Sequence, residues 1–161
     1  MGCHPTKCSE FEKHKDGPEA YFNALKGFLT NPAAVGKVVA IGECGLGNVS
    51  KNERKKESLA SRCGFFDLTT SSLHIGLIDY DRLFFCPKAT QIKYFERQFE
   101  LAEMTGLPMF LHDRNTSGDF AKMVIKHRKR FNQGVVHSFT GTSEDLRTYL
   151  DLGLYISING W

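Results

Sequence analysis

No apolar run in this 161-residue chain approaches the roughly 20 residues needed to span a bilayer, and the N-terminus lacks the apolar core of a secretory signal. The expectation is an intracellular protein with no membrane contact and no obligate protein partner in evidence. Charge of one sign is scarce too. Lys and Arg number 21 against 18 Asp and Glu, a formal net charge of +3. That is too mild to demonstrate a nucleic-acid partner, and basic residues cluster only at 54–56 and 126–130. Cysteine is sparse and odd in number: Cys3, Cys8, Cys44, Cys63 and Cys86 are scattered, which argues against a disulfide framework and for reduced thiols. Cys3, His4, Cys8 and His14 suggest a zinc cluster only superficially, because their spacing follows no usual finger pattern.

What is present is an alternation. The β-branched run 37–41 reads as a buried strand that ends on Gly42-Glu43, and a carboxylate at such a strand exit is costly unless it has a task. Further on, Pro87 suits a helix start, with Ile92, Phe95, Phe99 and Ala102 recurring on one face and Thr105-Gly106 as the stop. "LPMFLH" (107–112) is a short apolar strand. Asn115, Thr116 or Ser117 caps a second helix with Phe120, Met123 and Val124 on its apolar face, closing on the cations of "KHRKR". "GVVHSF" (134–139) is another strand. Thr142 or Ser143 caps a third helix through Leu146, Tyr149 and Leu150, stopped at Gly153, before a last strand in "LYISING". Strands alternating with helices indicate an α/β fold with a parallel sheet.

Each of three strands ends on an ionisable residue: Glu43, His112 and His137. Groups at the carboxyl ends of successive parallel strands are how a (β/α)₈ barrel assembles an active site, and one glutamate with two histidines suits a divalent metal. Any one of these histidines alone reads equally as a hydrogen-bonded core residue; it is their shared position that points to a metal site.

The ordered set "MGCHPT", "AIGECGL", "DYDR", "LPMFLHDR", "GVVHSFTG" and "LYISING" resembles the TatD family of metal-dependent deoxyribonucleases, in particular its eukaryotic TatD DNase domain-containing branch. The resemblance implies a TIM barrel of the metallo-dependent hydrolase type, DNA as substrate, and one or two divalent ions, expected to be Mg²⁺. It places Glu43, His112 and His137 on metal-ligand positions, with Glu43 and Arg114 also catalytic. It sets His4 and Arg114 beside the site as substrate-binding residues. Arg114 is suited to a phosphate oxygen by its planar fork, with a surface salt bridge as its other reading. A nuclear or cytoplasmic location follows from the substrate. Two alternatives stay open: an inactive fragment that binds only metal or a partner, and another hydrolase substrate on the same fold.

In the family, "GEIGLD-[YF]" runs without a break, its aspartate following the leucine directly. Here Leu46 is parted from Asp79-Tyr80-Asp81-Arg82 by an insert, 47–78, with no helical or alternating period. A structureless loop of this kind is either a functional lid, basic enough at 51–56 to lie on DNA, or a splicing or gene-model artefact. His74 and Cys63 within it are then bystanders. The family's first strand and its later "ETD" strand, which carries a metal-binding aspartate, are not found between Met1 and Trp161. The expectation is therefore a partial barrel, since a closed one typically needs about 250 residues. With no amphipathic face to offset ordering entropy, the insert should be cut rapidly by trypsin at Lys51, Arg54, Lys55 and Lys56 while the remainder stays intact. Resistance at those four sites, read by limited proteolysis and mass spectrometry, would argue for an ordered lid.

Overall fold

Short apolar runs separated by helical periods cannot pair as hairpins; they form parallel strands, which need helical crossovers. The computed structural model describes residues 1–47 and 86–160. Apart from Gly47, the insert 47–78 lies outside them, as do the cluster at 54–56, Cys63, His74 and the Asp79 to Arg82 motif. Strands β1 (Ile41–Gly47), β2 (Met109–Arg114), β3 (Gly134–His137) and β4 (Tyr155–Ile156) form one parallel sheet in that order. Helices α1 (Ser9–Lys13) and α2 (Pro18–Thr30) precede it; α3 (Lys88–Thr105), α4 (Asp119–His127) and α5 (Ser143–Asp151) follow β1, β2 and β3 in turn.

The helices follow their sequence signals with local differences. Pro87 sits one residue ahead of α3, and Gly106 ends that helix in the left-handed region at φ 68°. Phe95, Phe99 and Ala102 are fully buried. Helix α4 follows Gly118 without a side-chain cap at that position, and Thr116 serves instead, its hydroxyl accepting from Phe120 N–H at 3.4 Å. Helix α5 has a full capping box between Thr142 and Asp145. Tyr149 takes the core position there, whereas Leu150, expected on the apolar face, is 54% exposed. The basic cluster at 126–130 is largely engaged: Lys126 and His127 pair with Glu96, Arg130 pairs with Glu103, and Arg128 donates to the carbonyls of Leu152, Phe131 and Asn132.

One strand differs from its sequence reading. β1 begins at Ile41 rather than Lys37, and Val39 is 71% exposed. Pairing with β2 starts at Ile41 opposite Met109, so among the described residues 37–40 have no strand beside them there. On the other side Met1 takes the edge: Gly42 N–H donates to the Met1 carbonyl at 3.1 Å, and the Met1 ammonium donates to Ala40. Glu43 consequently lies within β1, not at its exit.

The register explains how Glu43 is aimed. Gly42 pairs with Phe110 and Cys44 with Leu111, so Glu43 is the extra residue of a bulge. In unbroken alternation Glu43 would oppose Leu111, on the face where Met109, Leu111, Val136 and Cys44 are buried with the helices. The bulge turns it to the opposite face, which carries Phe110, His112 and, in register with His112, His137. Glycine is required on both flanks. A Cβ on Gly42 would stand 2.2 Å from the Phe110 carbonyl oxygen, and one on Gly45 1.9 Å from that of His112.

Helix α3 anchors this sheet through two glutamines, Gln91 and Gln98, both fully buried. Gln91 accepts from Gly47 N–H at 2.9 Å and donates to the carbonyls of Gly47 and Cys86. Gln98 accepts from Cys3 N–H and donates to the Cys3 carbonyl at 3.0 Å. Each amide does for the backbone what a neighbouring strand would.

Gly45→Ala is expected to destabilise the fold by about 3 kcal/mol or more, from the clash and the unfavourable φ together. Gly27→Ala, in exposed α2 with nothing within 4 Å of the new methyl, should instead gain a few tenths to about 1 kcal/mol. Urea midpoints of the two variants check both signs.

Candidate metal centre

The donor atoms of His4, Glu43 and His112 all lie within 4.8 Å of one another. Three different devices bring them there. The bulge delivers Glu43. Strand alternation delivers His112, which sits two residues beyond Phe110 on the same face of β2 and is 6% exposed. His4 caps the short 3₁₀ turn Pro5–Lys7, a turn held in place because Gln98 fixes the backbone of its neighbour Cys3. The His112 ring nitrogen Nδ1 is 2.8 Å from Glu43 Oε1, and His4 Nε2 is 3.8 Å from the same oxygen. The His4 and His112 rings stand 5.1 Å apart, tilted by 57°. Two imidazoles and a carboxylate are a fitting donor set for a divalent cation.

His137 lies one strand further along. Its ring centroid is 4.6 Å from that of Phe110, and its Nε2 is 2.8 Å from Ser138 Oγ. Asn159 donates to that same Oγ at 3.0 Å, and the hydroxyl, with one proton and two lone pairs, serves either tautomer of the His137 ring. His137 is near enough for its charge to be felt at Glu43, but the compact trio consists of His4, Glu43 and His112. Arg114 ends β2 in register with Gly47, and alternation puts it on the His112 face. The intervening Asp113 points to the helices, where its carboxylate accepts from Tyr149 and, at 2.7 Å, from Thr116; burial pushes its pKa up.

The rim is conformationally unusual. Among the described residues, the non-glycine positions with positive φ are Asn115 and Ser138, directly after β2 and β3, and Ser117, three residues past β2. Such conformations gather at functional sites. Gln98, Ser138 and Asn159 were invisible to sequence reasoning, since a lone polar residue in a helix or loop has no periodicity to betray it. The pair of glycines around Glu43 was a usable signal of a bulge.

The sequence model of the TatD related DNase family matches residues 1–161. The chain belongs to that family. It is 35% identical over 161 residues to the deoxyribonuclease Tat-D of Schizosaccharomyces pombe, covering 99% of this chain and 41% of that protein. It is 31% identical over 159 residues to the 3'-5' ssDNA/RNA exonuclease TatD of a Rahnella species, covering 98% and 48%. Among solved structures, a hydrolase TatD family protein from Entamoeba histolytica is similar with a TM-score of 0.65 at 26% identity, covering 96% of this chain and 39% of that one. The four parallel strands are thus part of a TatD-type (β/α)₈ barrel, and the chain spans less than half the length of these relatives.

Glu43 connects this geometry to pH. The hydrogen bond from His112 holds its carboxyl below the ordinary range, against the opposing effect of burial, with the charges of His112, His4 and His137 adding to the lowering. A depressed folded-state pKa contributes stability above the unfolded value and loses it as pH falls through the folded one. Stability should therefore decline on acidification below about pH 4.3. Glu43→Gln should flatten that limb in urea titrations between pH 3 and 7.

Proposed function

We propose that this chain is the ion-holding portion of a metal-dependent deoxyribonuclease that hydrolyses phosphodiester bonds in DNA. The observation that carries the proposal is the convergence of His4, Glu43 and His112 on one face of a parallel sheet. The names of the relatives support the reaction class, and that of the Rahnella protein supports single-stranded nucleic acid as a substrate.

Each residue has a task set by its place. Glu43 supplies the negative charge of the site and orients His112 through their 2.8 Å hydrogen bond. His4 approaches the same carboxylate from the N-terminal turn, and His137, two strands away on the same face, adds its charge. Arg114, on the His112 face at the end of β2, offers a planar fork to a phosphate oxygen. A divalent ion held there would polarise a phosphoryl oxygen and lower the pKa of a bound water. Magnesium suits phosphodiester chemistry; the two imidazoles make Mn²⁺ and Zn²⁺ equally worth testing. We place the protein inside the cell, in the nucleus or cytoplasm, where DNA is available and thiols such as the free Cys3, Cys8, Cys44 and Cys86 stay reduced. No helix among the described residues is long and apolar enough to cross a membrane.

The test is release of nucleotides from 3'-labelled single-stranded DNA with Mg²⁺, Mn²⁺ or Zn²⁺, with EDTA as control. Slow, EDTA-sensitive cleavage is expected, abolished in Glu43→Ala. Cleavage that survives EDTA or Glu43→Ala overturns the reading. Ion binding without any cleavage would leave a metal-binding fragment.

A further inference from the structure

His4 is held by Thr6 in two ways at one atom. Its Nδ1 accepts from the Thr6 backbone N–H at 3.3 Å, the contact that caps the Pro5–Lys7 turn. The Thr6 hydroxyl oxygen lies closer to the same nitrogen, at 2.8 Å. These contacts have opposite consequences for the far side of the ring. An Nδ1 that accepts from a backbone N–H needs its lone pair, and a neutral imidazole then carries its proton on Nε2. That is the nitrogen 3.8 Å from Glu43 Oε1. In this tautomer His4 turns an N–H toward the carboxylate and has no lone pair at Nε2 for a cation.

A hydroxyl removes the restriction. It donates into Nδ1 in one tautomer and, after rotating, accepts from Nδ1–H in the other. Moving the proton from Nε2 to Nδ1 therefore gives up a long backbone contact and gains a short N–H···O bond. Metal-bound histidines generally donate their second ring N–H to such an outer partner. We infer that Thr6 is a positioning residue for the ion site: its hydroxyl lets His4 carry its proton on Nδ1 and present Nε2 to a divalent cation. Valine at this position keeps the β-branched shape but leaves the backbone N–H as the Thr6 group facing Nδ1, which holds the ring in the tautomer that cannot bind. Serine restores the switchable hydroxyl. Thr6 is only partly buried and no part of the core, so the exchange does not threaten the fold. The inference rests on the reading of His4, Glu43 and His112 as an ion site.

Two measurements on the full chain test it. The first is calorimetric titration with Co²⁺ alone: Thr6→Val should bind about tenfold more weakly than wild type, and Thr6→Ser like wild type. The second is the ¹⁵N ring spectrum of His4 in the metal-free protein, at a pH where the ring is neutral. Wild type and Thr6→Ser should retain a share of the Nδ1–H form, and Thr6→Val should show only the Nε2–H form. If either the affinity or the tautomer is unchanged in Thr6→Val, the role of Thr6 is overturned. Failure of the underlying site looks different: wild type then binds no Co²⁺, or binds it no better than Glu43→Ala. In that case the ring spectrum alone decides whether Thr6 governs His4.

Discussion

One extra residue in β1 decides where the chemistry goes. Without the bulge, Glu43 would face Leu111 and the helices, an apolar environment in which an unpaired carboxylate is strongly disfavoured. With it, the carboxylate turns to the opposite face and meets His112 at 2.8 Å. Local sequence and tertiary position agree here, because the two strand backbones run so close that only Gly42 and Gly45 fit on either side of the bulge. Between those two glycines, Cys44 keeps the pairing with Leu111 and Glu43, left unpaired, turns to the other face. The site depends on this backbone constraint before it depends on any particular ligand.

Much of the fold was legible in the sequence, for identifiable reasons. Helix α3 was readable because Phe95, Phe99 and Ala102 repeat at helical spacing and Gly106 stops them; α5 was readable from Thr142 at its cap. β1 was misplaced by four residues, since Val38 and Val39 carry strand propensity without a partner to satisfy it; propensity is decided by pairing. The sequence pointed to Glu43 and His112 as strand ends, whereas both lie inside their strands and meet because the bulge and alternation put them on one face. The meeting of His4 with them was not legible, because it depends on a buried glutamine, Gln98, reaching back 95 positions in sequence to Cys3. His137 was placed on the correct face by alternation, but alternation fixes a direction and not the reach of a ring that instead lies against Phe110.

Helix α3 does more than cover the sheet. Gln91 and Gln98 are seven residues apart, two turns on one face, and their amides index both the end of β1 and the turn bearing His4 to a single rigid rod. Burying two carboxamides is unfavourable unless each polar atom finds a partner, and here backbone groups provide them. A helix that binds backbone rather than side chains holds position without dictating which residues its neighbours carry. That leaves the sequence of the His4 turn free to be set by the site.

The amide of Gln91 also bonds Gly47 and Cys86 together, so two backbone positions far apart in sequence are fastened to one side chain. Wherever the two ends of a flexible loop are joined in this way, the closure cost grows only logarithmically, by about 0.6 kcal/mol for each doubling of length. A junction fastened to one buried side chain is a place where a change of chain length has little consequence for the sheet. The barrel wall, in effect, carries its own seam.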